Sequence, residues 1–119
     1  MKILVVDDEK EILIMISKLL KRNGYEVIAV GSIIEAAKLI RNNQWDLIIT
    51  DVMIPYVGGF ELVEAVKASS TTPVMIMTGM SEEVLKLTVT KADKILHKPF
   101  KSSEFLSSVK QLTGAKIVE

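Results

Sequence analysis

Five residues of this chain have side chains that could do chemistry together: Asp7, Asp8, Asp51, Thr78 and Lys98. Taken singly, each has an ordinary explanation. An Asp-Asp pair after an apolar run usually makes a turn or caps a helix. A Thr closing such a run is usually a local hydrogen bonder, and a Lys before Pro usually lies on the surface. What sets them apart is a common position, because each stands at the C-terminal end of a short apolar run. Gathered at one edge, three carboxylates repel one another unless they are protonated or bind a cation. The chain has no Cys and one His, so the donors are oxygens, which suit a hard cation such as Mg²⁺. Lys98 would add a movable point charge suited to a phosphoryl group, and Thr78 a hydroxyl donor. A nucleophile, a metal and positive donors for the equatorial oxygens are what phosphoryl transfer requires. Carboxylates serve as nucleophiles in that chemistry and form aspartyl-phosphates.

The elements that must position these residues follow from periodicity. The apolar runs are Ile3–Val6, Val27–Val30, Leu47–Ile49, Val74–Met77 and Ile95-Leu96. They are continuous rather than alternating, as parallel strands buried on both faces are. Between the first two, Ile12, Met15, Ile16, Leu19 and Leu20 have the spacing of one helix face, and Asn23-Gly24 supplies a stop. Ser32 with Glu35 predicts a capping box, followed by an inward face of Ile33, Ala37 and Ile40. A third helix starts near Gly59 and buries Leu62, Val63 and Val66. A last one, capped by Ser102 or Ser103, buries Phe105, Val109 and Leu112.

Ser81–Ala92 carries a conflict. Ser81-Glu82-Glu83 resembles a helix start, since negative charge suits that end. Leu85–Thr90, however, alternates apolar and polar residues with the period of a strand. A crossover between parallel strands favours a helix, one of low intrinsic stability. The pattern is five βα units, an α/β doubly wound domain whose ligands bind beyond the carboxyl ends of the strands.

Composition bounds the rest. A chain of 119 residues fits one domain, with a core over 2–113 and 114–119 a short tail or the start of a linker. The absence of cysteine excludes disulfides and thiolate metal sites, and is compatible with a cytoplasmic location. No apolar run approaches the length that crosses a bilayer, and Ile3–Val6 runs at once into Asp7, Asp8 and Glu9 rather than into a secretion signal. Net charge is zero, which does not suggest nucleic-acid binding by this segment. The charge is unevenly spread: residues 1–85 hold 8 Lys and Arg against 12 Asp and Glu, residues 86–119 hold 7 against 3. His97 reads as a structural or surface residue, and Met53, Met75, Met77 and Met80 as packing residues first.

Four blocks now stand out: Val5-Val6-Asp7-Asp8-Glu9, Asp51-Val52-Met53-Ile54-Pro55 with Gly59, Thr78-Gly79, and Lys98-Pro99-Phe100. Together they resemble the signature of response regulator receiver domains, and the resemblance covers residues 2 to about 113. It implies a flavodoxin-like sheet in the order 2-1-3-4-5. It also implies that Asp51 is the phosphoacceptor of a two-component system. Asp8 would bind Mg²⁺ directly, Asp7 directly or through water, and the backbone carbonyl of Met53 would be a further ligand. Thr78 and Lys98 would each take a phosphoryl oxygen, and Lys98-Pro99 would be a cis peptide. The donor would be a sensor histidine kinase or a histidine phosphotransfer protein. The readout would be the surface of the fourth helix, fifth strand and fifth helix, offered to an output domain, a downstream protein or a phosphorylation-dependent dimer.

The chain departs from the family in places. The family often has Tyr or Phe where Ile95 stands, so aromatic gating of the output face is in question. Lys91 replaces a usual Gly, and Gly58 before Gly59 loosens that loop. Met53 and Met80, each two residues past a key residue, are expected to limit water access and set the lifetime of the phosphate. Two other readings remain. One is an interaction module with a vestigial site, which the intact set Asp7, Asp8, Asp51, Thr78 and Lys98 opposes. The other is an enzyme resembling the haloacid dehalogenase family, which needs a second Asp as general acid where this chain has Met53. The expectation is a signalling domain rather than an enzyme.

Overall fold

A computed structural model describes residues 1–52, 58–85 and 90–114. Five strands alternate with five helices: β1 (Lys2–Val6), α1 (Lys10–Arg22), β2 (Glu26–Val30), α2 (Ile33–Asn42), β3 (Leu47–Asp51), α3 (Gly59–Ser69), β4 (Val74–Thr78), α4 (Glu82–Leu85), β5 (Lys94–His97) and α5 (Ser102–Thr113). All strand pairs are parallel and the order is β2-β1-β3-β4-β5, as expected. A hydrogen bond from the Asp7 N–H to the Val30 carbonyl (3.1 Å) carries the pairing past the end of β1.

Successive side chains of a strand point to opposite faces, so each inner strand feeds two cores. Leu4, Val6, Ile48, Val74 and Ile76 pack with Ile33 and Ala36 of α2 and Leu62, Val63 and Val66 of α3. Ile3, Val5, Leu47, Ile49, Met75 and Met77 pack with Ile16 and Leu20 of α1 and Phe105 and Val109 of α5. Both layers are therefore locked to the three central strands, whose C-terminal ends carry Asp7, Asp51 and Thr78.

The edge strands correct one expectation. In β2 only Val30 is buried and in β5 only Leu96, because an outermost strand has a neighbour on one side alone. Helix faces differ by a residue in two places. Met15 is exposed and Leu13 packs in its stead, while Ala36 is buried more completely than Ala37. The turn after α1 is as expected: Gly24 takes φ +86°, a left-handed conformation, while the Tyr25 N–H closes on the Leu20 carbonyl at 3.1 Å. Ser32 accepts the Glu35 N–H at 3.2 Å, the first half of the predicted capping box. Neither Ser102 nor Ser103 caps α5. The N-cap is Lys101, without a side-chain cap, and Ser102 is already the first helical residue. α4 begins at Glu82 as its acidic start suggests, but Thr90–Ala92 is not helical. Residues 86–89, which hold most of the alternating stretch, lie outside the described residues.

Asp93 clamps the far end of β4 to the segment before β5. Its carboxylate accepts the Val74 N–H at 2.8 Å and meets Lys67 Nζ at 2.6 Å, and its own N–H donates to the Val74 carbonyl at 2.8 Å. Burial works against the charged carboxylate, but the Lys67 and Val74 hydrogen bonds outweigh it and hold Asp93 below the ordinary carboxylate value. A lowered pKa means stability that is present above the unfolded value and lost as pH falls through the folded one. Asp93→Asn should therefore cost about 1 kcal/mol at neutral pH, a modest figure because the carboxylate is partly exposed. The difference from wild type should shrink as pH falls below about 3.8. Urea unfolding at neutral and acid pH reads both, and a gap that persists in acid would contradict the assignment.

Candidate functional site

Three strand ends and one loop converge. Asp7 follows β1, Asp51 ends β3 and Lys98 follows β5, and the lysine ammonium bridges them. Lys98 Nζ lies 2.8 Å from Asp51 Oδ2, 2.9 Å from Asp7 Oδ2 and 3.3 Å from Glu9 Oε1. Asp7 is fully buried and Asp51 nearly so, whereas Asp8 and Glu9 face solvent. One carboxylate oxygen from each of Asp7, Asp8, Glu9 and Asp51 can be chosen so that all lie within 4.8 Å of one another. Hard, charged oxygen donors at that spacing fit a divalent cation of the Mg²⁺ kind.

The electrostatics agree with a cluster short of positive charge. Burial raises Asp7 above the ordinary carboxylate value, although the Glu9 N–H, which donates to Oδ1 at 2.9 Å, and Lys98 pull the other way. For Lys98 burial alone would lower the pKa, but its hydrogen bonds to Asp51 and Asp7 more than reverse that and keep the ammonium charged. One cation thus serves three acids.

Thr78 stands beside this group. It is fully buried, its Oγ accepts the Met80 N–H at 3.0 Å, and its carbonyl takes the Lys98 N–H at 2.7 Å, which ties the ends of β4 and β5 together. Glu9, Asp51, Gly79, Met80 and Lys98 line an open cleft of about 340 Å³. Met80 is thus among the residues that line the cleft. Met53 lies outside the described residues. Ile95 is half-buried on the α2–α3 face of the sheet, packed against the same core as Met80. The Lys98–Pro99 peptide is cis.

Two features were not expected from sequence. Glu9 joins the cluster through Lys98; its place directly after Asp7-Asp8 was the available signal. Thr50 Oγ donates to the Asp51 carbonyl at 2.9 Å within the buried sheet, one residue from the candidate nucleophile.

Gly59 has a specific reason to be glycine. A Cβ there would lie 2.1 Å from the Asp51 carbonyl oxygen and 2.8 Å from Val52 Cα, both backbone atoms that cannot swing aside. The Gly59 N–H donates to the Val52 carbonyl at 3.3 Å, so α3 starts directly against the strand end that carries Asp51. Gly59→Ala should cost about 2–3 kcal/mol, as forced overpacking does. Gly58→Ala should cost clearly less, because its Cβ would meet mainly the flexible tip of Glu61. Denaturant midpoints of the two variants test the ordering, and equal losses would refute it.

The family model described as the response regulator receiver domain matches residues 3–110. The chain belongs to that family. That family is one of signalling domains. Receiver domains of this kind belong to two-component response regulators. The regulatory protein VanR of Enterococcus faecium is 35% identical over 111 residues, covering 92% of this chain and 48% of VanR. The alkaline phosphatase synthesis transcriptional regulatory protein PhoP of Bacillus subtilis is 35% identical over 114 residues, covering 93% of this chain and 48% of PhoP. The chain spans about half the length of the curated relatives it matches. Among solved structures, the chemotaxis response regulator CheY4 of Vibrio cholerae superposes with a TM-score of 0.85 at 33% identity, over 93% of this chain and 97% of that one. The response regulator TrrA of Thermotoga maritima, solved in complex with Mg²⁺-BeF, gives 0.84 at 29% identity, over 93% and 97%. Among the described residues, no helix is long and apolar enough to cross a membrane.

Proposed function

We propose that this receiver domain accepts a phosphoryl group on Asp51 and thereby switches the surface built from α4, β5 and α5. The observation that carries the reading is the Lys98 bridge. A buried carboxylate and a charged ammonium 2.8 Å apart, with further carboxylates beside them, support it.

In the step itself, a carboxylate oxygen of Asp51 attacks phosphorus. The bond from phosphorus to the donor imidazole nitrogen breaks, its electron pair stays on the ring, and an acyl phosphate remains on Asp51. Asp7, Asp8 and Asp51, with the backbone carbonyl of Met53, would hold Mg²⁺, which when bound would neutralise charge on the phosphoryl oxygens. Lys98 is positioned to turn from the carboxylate to a phosphoryl oxygen with little movement. Thr78 would exchange its contact with the Met80 N–H for another phosphoryl oxygen. That exchange would draw on the β4–α4 loop and bias α4 and β5 toward a second arrangement. Met80 and Met53, each two residues past a key residue, would restrict the path of a hydrolytic water.

A sensor histidine kinase or a histidine phosphotransfer protein would supply the group in the cytoplasm. The activated surface would act on an attached output domain, a separate protein or a second copy.

Incubation with a small acyl phosphate and Mg²⁺, followed by borohydride reduction and peptide mapping, tests the reading. The expected result is one modified residue, Asp51, formed only when Mg²⁺ is present. Modification elsewhere, or uptake that survives chelation, would overturn it. A vestigial site would give no modification and no Mg²⁺ binding.

A further inference from the structure

A second opening lies at the other edge of the sheet from Asp51. A cavity of about 570 Å³ sits between the α2–β3 and α3–β4 connections. Its size is that of a small-molecule site. Trp45, Ile48 and Val66, all buried, give it an apolar floor. Ser70 and Thr72 stand on one wall with their hydroxyls 2.7 Å apart, and the Thr72 N–H donates to the Ser70 oxygen at 3.0 Å. Two hydroxyls that bond to each other have one proton left over between them, so the pair can donate to something else.

The charge of the lining is one-sided. Among the described residues it contains Arg41 and no Asp or Glu. Arg41 is exposed and makes no ion pair among the described residues. A guanidinium that makes no ion pair among the described residues, set beside a cleft lined by both polar and apolar groups, suits a carboxylate, sulfonate or phosphate group carried on an apolar body.

We propose that this cavity binds a small organic anion, its apolar body over Trp45, Ile48 and Val66 and its acid group on Arg41 and the Ser70–Thr72 hydroxyls. The inference does not rest on phosphorylation of Asp51. The site is connected to the rest of the molecule, however. The Thr72 carbonyl accepts from Lys67 Nζ at 3.0 Å, and Lys67 is the partner of Asp93 at the foot of β5.

Trp45 is the sole tryptophan of the chain, so its indole N–H gives a single, unambiguous signal in a nitrogen–proton correlation spectrum. That N–H donates to the Leu39 carbonyl at 3.2 Å, and a ligand packed on the ring should move it. The probe is 2-naphthalenesulfonate, titrated into the wild type, Arg41→Glu and Ser70→Phe, with 2-naphthalenemethanol as the neutral comparison. The expected result is a saturable shift of the Trp45 signal and of the backbone signals of residues 40–45 and 69–72. Affinity should fall about tenfold in Arg41→Glu and in the uncharged analogue. Ser70→Phe, which places a ring in the cavity from an exposed position, should abolish the shift while the remaining spectrum stays that of the folded protein. A shift that does not saturate, that is unaffected by Arg41→Glu, or that centres on Asp7, Asp51 and Lys98 would overturn the proposal.

Discussion

Asp51→Asn should abolish phosphoryl uptake completely and, in the absence of metal, make the protein more stable rather than less. The first half follows from chemistry: an amide oxygen is too weak a nucleophile to form the acyl phosphate. The second half follows from the geometry of the acids. Asp7, Asp8, Glu9 and Asp51 crowd together, and the ammonium of Lys98 meets three of them. An amide at position 51 can still accept from Lys98 Nζ, so the variant keeps a hydrogen bond while losing a repelling charge. A gain of about 1 kcal/mol is the expected size for like charges at a partly solvated edge. Mg²⁺ should reverse the ranking, because it binds the wild type more tightly and stabilises it by mass action. Urea unfolding of both proteins with Mg²⁺ and with chelator checks the sign in each condition. A variant less stable than wild type without metal would show that the cluster is not electrostatically frustrated.

Lys98→Met should have the opposite effect on folding. The change keeps most of the apolar stem and removes the charge. Asp7 is then a fully buried carboxylate and Asp51 a nearly buried one, with the cation they shared gone. Removing one partner of a buried ion pair typically costs about 3 kcal/mol or more, most of it from the charge left behind. Mg²⁺ should recover a large share, since it supplies positive charge where the ammonium was. Phosphoryl uptake should fall on the order of a hundredfold rather than vanish, because a donor to the phosphoryl oxygens is lost while the nucleophile remains. Calorimetry with and without Mg²⁺, together with a time course of acyl phosphate formation, reads both effects. A melting temperature equal to wild type in chelator would show that Asp7 and Asp51 do not depend on Lys98.

The fold was legible because apolar runs of strand length recur between amphipathic stretches, and that pattern allows few alternatives. The site was legible for a related reason. In a parallel sheet every strand ends on the same edge, so polar residues after the runs must converge whatever their separation in sequence. What escaped was what depends on a neighbour. Met15 has perfect helical spacing, yet it is exposed, while Leu13 packs against the core. Ser102 is a good cap by type, but it is already the first helical residue and Lys101 takes the capping position. Glu9 was visible as a residue and invisible as a participant, since only the fold brings Lys98 to it. Gly59 was noticed as part of a motif; the backbone oxygen that requires it appears only in three dimensions.

The half-buried strands at the margins of the sheet have a consequence for how molecules of this protein meet. An open sheet ends in two rows of unpaired peptide groups, each a template for a strand from another chain. Here both rows are short. β2 has five residues and begins with the exposed charge of Glu26, and β5 has four. β5 is also bracketed by charge and by a residue without an N–H, with Asp93 before it, Lys94 at its first position and Lys98-Pro99 after it. Addition of a foreign strand would be brief, would strand charges and would run out of donors at Pro99. The sheet therefore discourages polymerisation at its margins, which leaves the helical faces as the route by which copies could associate in a controlled and reversible way.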